Sequence, residues 1–166
     1  MKIKLIISLS LFTSLPLMAQ NSPVGIVSVQ DSAKSVQFGV ISSVATDGGH
    51  GVQLSGASNT SAHKFNGLQL SSISNITAGM DKGVQLSGIL NVSSAMQRGL
   101  QLGTINFADS LNGAQIGVFN IARRHPKGWQ VGIVNLSYDS IGHKIGLVNV
   151  NNRRSEERRV GKECRS

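Results

Sequence analysis

From residue 21 to residue 149 the chain alternates short apolar blocks, bounded by glycine and an amide residue, with short polar segments. The block GVQLSGASN at 51–59 returns as GLQLSSISN at 67–75, GVQLSGILN at 83–91 and GLQLGTIN at 99–106. It continues as GAQIGVFN at 113–120, GWQVGIVN at 128–135 and GHKIGLVN at 142–149. Weaker copies, NSPVGIVS at 21–28 and SVQFGVIS at 35–42, precede it. Nine starts are thus spaced 14 to 16 residues apart. Self-similarity at a fixed period is the mark of a repeat architecture.

Each block predicts a short strand. It is rich in Val, Ile and Leu, and the segments between blocks, such as TAGMDK and ARRHPK, supply turn-forming Gly, Asp and Pro. Helix is disfavoured because glycine recurs within the unit, at a cost of about 1 kcal/mol each against alanine. Coils at 51, 67 and 83 carry one extra residue, Ser55, Ser71 and Ser87, which predicts a bulge held in register.

Two all-β architectures use such a repeat. In a β-solenoid each unit is one coil, and equivalent residues stack about 4.8 Å apart. In an antiparallel up-and-down sheet or barrel, equivalent residues alternate between ends. The polar phase favours the solenoid, here of about nine short coils and roughly 43 Å long. Gln53, Gln69, Gln85, Gln101, Gln115 and Gln130 share the third position of the motif, as does Gln37. Asn59, Asn75, Asn91, Asn106, Asn120, Asn135 and Asn149 close it. Stacked amides of this kind hydrogen-bond along the axis as structural ladders. Leu54, Leu70, Leu86, Leu102, Ile116, Val131 and Ile145 predict an apolar ladder, and Leu90, Ile105, Phe119, Val134 and Val148 a second. A carboxylate at Leu86 is then expected to unfold the middle coils, and a change at Lys82 to be nearly neutral.

The G-x-Q-φ-G-φ-φ-N units resemble those of bacterial exported surface-repeat proteins over about residues 21–150. The resemblance implies an envelope location and no known catalytic residues.

Both ends of the chain differ from the repeat domain, 20–152. Met1-Lys2-Ile3-Lys4, an apolar run from Leu5 to Leu17 and Ala19 describe a signal peptide, 1–19, whose apolar run is too short to span a bilayer. Export to the periplasm, outer membrane or cell surface follows. Residues 153–166 read as a non-native tail that truncates the chain. Back-translated, Arg154 to Cys164 resembles a sequencing adapter, and the stretch holds the only cysteine and all three glutamates.

Setting the ends aside changes the charge. The chain's formal +8 falls to +4 over residues 20–153, from nine Lys/Arg and five Asp. That balance gives no reason to infer a nucleic-acid partner. The one basic cluster, Arg123-Arg124-His125-Pro126-Lys127, reads as a solvated turn, with Arg123, Arg124 and Lys127 as a candidate anionic contact. Partners of the envelope type, whether glycan, lipid or protein, stay open.

His50, His63, His125 and His143 lie in or beside turns without metal-ligand spacing. The aspartates also fall mostly in turns. A polysaccharide-cleaving β-helix needs acids and bases gathered on one face of larger coils. No catalytic, metal or cofactor residue is therefore assigned, and the expected function is non-enzymatic. Asn59, Asn75, Asn91 and Asn135 also match the N-x-[ST] acceptor pattern, but their phase argues for ladder positions.

Overall fold

The computed structural model describes residues 18–20, 22–78, 81–124, 127–138 and 142–152. Residues 1–17 and the tail 153–166 lie outside the described residues. Met18–Gln20 forms a short strand, β1, that pairs parallel with β2, Val24–Gln30.

The chain winds into a β-solenoid of about eight turns; nine motif starts delimit eight intervals. Each turn has two sides. The first side carries the glutamine and the second the closing asparagine. After β3, Val36–Ala45, which spans both, the sides separate into distinct strands. On the first side lie β4, Gly49–Ser55, β6, Phe65–Ser71, and β8, Asp81–Ser87. On the second lie β5, Ser58–Ser61, and β7, Ser74–Thr77. The later strands run round the corners without a break: β9, Leu90–Leu102, β10, Ile105–Arg124, and β11, Trp129–Tyr138. The last turn holds β12, His143–Ile145, and β13, Val148–Asn152.

Every pairing among the described strands is parallel and brings like residues together. Gln53 opposes Gln69, which opposes Gln85, which opposes Gln101. Asn59 opposes Asn75 and Asn75 opposes Asn91. Only a coil that returns in the same direction each turn gives this register, so the antiparallel sheet or barrel is ruled out. Ser55, Ser71 and Ser87 do not bulge: they pair in unbroken register, and the extra residue lengthens the first-side strand, the corner that follows staying two residues long as at Gly103 and Thr104. The register irregularities fall instead at Gly25/Val27 and Ala108/Ser110.

The interior is polar. Inward positions are filled by the glutamines, the asparagines and small Ser, Thr and Ala side chains. The buried apolar side chains make two small groups, Ala33 with Ala45 and Phe65, and Ala108 with Leu111 and Ala122. This corrects the expectation for the leucine ladder. Strand side chains alternate between faces, so with Gln69 and Gln85 inward their neighbours Leu70 and Leu86 must point out. Leu70, Leu102 and Ile116 are each about 40% exposed, and Leu86 is half-buried. The second apolar ladder faces out too, with Phe119 and Val148 exposed. A carboxylate at Leu86 would meet solvent, so it is not expected to unfold the middle coils.

Candidate functional site

The recurring amides occupy the centre of the rod. Gln53 Nε2 donates to Gln37 Oε1 at 2.8 Å, and the chain of bonds runs on through Gln69, Gln85, Gln101, Gln115 and Gln130 at 2.6–2.8 Å. In this ladder each turn donates to the turn before it. The asparagines run the other way: Asn59 Nδ2 donates to Asn75 Oδ1 at 2.9 Å, and each later asparagine donates forward, ending at Asn149. Two polarised chains of opposite sense lie side by side, so their dipoles oppose one another. Each inward asparagine also holds the two sides together. Asn75 Nδ2 donates to the Leu86 carbonyl at 2.7 Å, and Asn91 Nδ2 to that of Leu102 at 2.9 Å. Burying an amide costs several kcal/mol unless it is hydrogen-bonded, and here the ladders supply the bonds.

The glutamine ladder starts and stops differently. Gln37 Nε2 reaches the carbonyls of Ser28 and Val44, at 3.0 and 2.9 Å. Gln130 Oε1 is buried without a hydrogen-bond partner among the described residues. Its register neighbour is Lys144, whose Nζ donates to the Val150 carbonyl at 2.6 Å. Burial lowers the Lys144 pKa. Folding thus disfavours the charged amine below its folded pKa, a cost relieved as pH rises towards the unfolded value. Lys144→Gln is expected to extend the ladder and stabilise the fold by about 1 kcal/mol. In thermal melts its advantage over the parent should shrink at alkaline pH.

Of the basic cluster, Arg124 Nη2 is engaged by Asp109 Oδ2. That bond and the Asp109 charge hold the Arg124 pKa above its ordinary value. Asp109 is almost buried, and with Ala95, Met96, Ser110 and Arg124 it lines an open depression of about 280 Å³. Arg123 and Lys127 are exposed and not part of that depression, while His125 lies outside the described residues. His50 and His63 are exposed, and His63 Nδ1 lies 2.9 Å from the Thr46 carbonyl. His143 stacks on Trp129, with ring centroids 4.6 Å apart. No group of three metal-ligating side chains occurs among the described residues. The acceptor-pattern residues Asn59, Asn75, Asn91 and Asn135 are fully buried.

Sequence reasoning missed Gln97. It lies off the motif phase, opposite Asp81 and Leu111, and both its amide atoms are buried without a partner among the described residues.

No family model, curated protein or solved structure matches this chain.

The outer surface is sharply divided. Among the described residues, every Lys, Arg and Asp except Lys144 lies on one corner, where the second side leads into the first. This corner holds Asp31, Lys34, Asp47, Lys64, Asp81, Lys82, Arg98, Asp109, Arg123, Arg124 and Lys127. The opposite corner is a column without charge. Backbone bonds stack Ala57 on Ile41, Ile73 on Ala57 and Ile89 on Ile73. Ile41, Ile73, Ile89 and Ile133 are about half-exposed and Leu147 is 86% exposed. The first face between the corners presents Val36, Val52, Leu68, Val84, Leu100, Ala114 and Trp129 beside the leucine ladder.

Proposed function

We propose that this chain is a non-enzymatic exported repeat protein of the bacterial cell envelope, with a structural or binding role. One observation carries the reading. The polar residues of the motif are turned inward and spent on holding the coil together, while regular Val, Leu and Ile ladders stand outward and half-exposed. Exposed apolar area on this scale marks an interaction surface. The apolar N-terminal run behind Lys2 and Lys4, and the likeness of the repeat to exported surface-repeat proteins, support the envelope location.

The competing class is a carbohydrate-active enzyme using Asp109. The full chain, expressed in a Gram-negative host, is expected in the envelope fraction with its N-terminus removed, and inert towards a panel of envelope polysaccharides. Polymer turnover that Asp109→Asn abolishes would reject the non-enzymatic reading; recovery of the uncut precursor in the cytoplasm would reject export.

A further inference from the structure

We propose that the rod lies along an anionic lipid leaflet, with its uncharged corner inserted among the acyl chains and its charged corner at the headgroups. The proposal rests on the envelope reading above and names the partner.

Three sides of the rod are suited to hydrocarbon and the fourth is not. The uncharged corner carries Ile41, Ile73, Ile89, Val118 and Ile133, with Ala57 and Thr104 between them and Leu147 at its end. The first face flanks it with the outward Val and Leu ladders. From the fifth turn onward the second face flanks it with Leu90, Val92, Ile105, Phe107, Phe119, Ile121, Val134 and Leu136. Backbone N–H and C=O groups pair along the rod axis, so these sides present side chains and not open polar groups, as a lipid contact requires. A second copy of the chain could cover one face. A fluid apolar medium covers the corner and both faces together.

Depth and charge agree with this placement. From Gly83, where the charged corner opens into the first side, to Ser87 at its far end, the strand reaches about 13 Å at ~3.3 Å per residue, close to the ~15 Å of hydrocarbon in one leaflet. That sets Lys82 and the rest of the charged corner at the lipid headgroups. Among the described residues of that corner, the seven cations Lys34, Lys64, Lys82, Arg98, Arg123, Arg124 and Lys127 outnumber the four aspartates Asp31, Asp47, Asp81 and Asp109. Such an excess is attracted to an anionic leaflet. Trp129, half-exposed on the first face next to Lys127, stands at the level where tryptophan anchors proteins to the membrane interface.

The test uses the full chain, flotation with vesicles of phosphatidylcholine with or without phosphatidylglycerol, and the emission of the single tryptophan. The chain is expected to float with both, more strongly with phosphatidylglycerol. Trp129 emission should shift to the blue, and a headgroup-level quencher should act on it more than a mid-chain one. Ile89→Lys with Ile133→Lys should reduce the bound fraction at least tenfold, the circular dichroism being unchanged because both side chains are already half-exposed. If that pair disturbs the fold, Leu147→Lys reads the same corner. Lys82→Gln with Arg98→Gln should weaken the phosphatidylglycerol preference and leave basal binding. Equal flotation of parent and Ile89→Lys/Ile133→Lys would overturn the proposal, as would a chain that binds neither vesicle and forms a dimer split by those lysines. A chain recovered in the envelope fraction that floats with no vesicle rejects the lipid partner and leaves the envelope reading standing.

Discussion

Asn91→Leu is expected to destabilise the rod by about 3–5 kcal/mol, while Leu86→Asp, five residues away, costs less than about 1.5 kcal/mol. This inverts the usual order for apolar and polar sites. Asn91 is fully buried. It accepts from Asn75 Nδ2 at 3.0 Å and donates to Asn106 Oδ1 and the Leu102 carbonyl, both at 2.9 Å. Leucine makes none of these bonds, and leaves the Asn106 acceptor and the Leu102 carbonyl without their donor. A buried polar group stripped of its partner costs ~1–3 kcal/mol. Its branched tip also meets a tight wall, since a Cβ on Gly103 would come within 2.7 Å of Asn91 Nδ2. Leu86 faces outward, and aspartate there loses apolar contact with its ladder neighbours but keeps its hydration. Thermal melts rank the two, and amide exchange should show the Asn91→Leu damage concentrated in β7, β9 and β10. A larger loss from Leu86→Asp would mean that the leucines, and not the amides, fill the interior.

The repeat made the winding legible and left its facing obscure. Parallel in-register stacking sets like on like, so Gln at one phase and Asn at another are enough to read a solenoid from the letters. Facing is decided by parity along each strand, and Gln85 and Leu86, being adjacent, cannot both point inward. The rule that apolar residues go inside put the leucines there. It fails because one turn cannot satisfy a buried glutamine, whereas a stack of turns can, each amide donating to its neighbour. The Asp109–Arg124 pair was within reach: their separation of 15 residues is one coil, so the repeat itself sets them side by side. Gln97 was not, since its phase matches none of the ladders and nothing in the local pattern marks it as buried. The division into charged and uncharged corners needed the two-sided turn, because only then do the alternate connections fall on opposite edges.

Gly83→Ala is expected to be strongly damaging for a single added methyl, at more than about 3 kcal/mol. Gly67, Gly83 and Gly99 stack directly on one another where the charged corner opens into the first side. Gly83 has φ of 136°, a region that side-chain-bearing residues rarely adopt. A Cβ there would lie 2.0 Å from the Gly67 carbonyl oxygen and 2.8 Å from its carbonyl carbon and its nitrogen. All three are backbone atoms fixed by the neighbouring turn, so no side-chain rotation relieves the clash. The turn can accept the methyl only by moving away from the one beneath, and that movement lengthens the Gln85 to Gln69 bond two residues on, now 2.8 Å. The loss should therefore spread along the amide ladder instead of staying at the corner. Amide exchange should report faster opening at Gln69, Gln85 and Gln101 together, with the outer turns near Gln37 and Gln130 less affected. Ser72→Ala, on the exposed opposite corner, provides the comparison and should leave the melt unchanged within about 0.5 kcal/mol. If Gly83→Ala melts with the parent, the glycine column is not what holds the turns at their spacing.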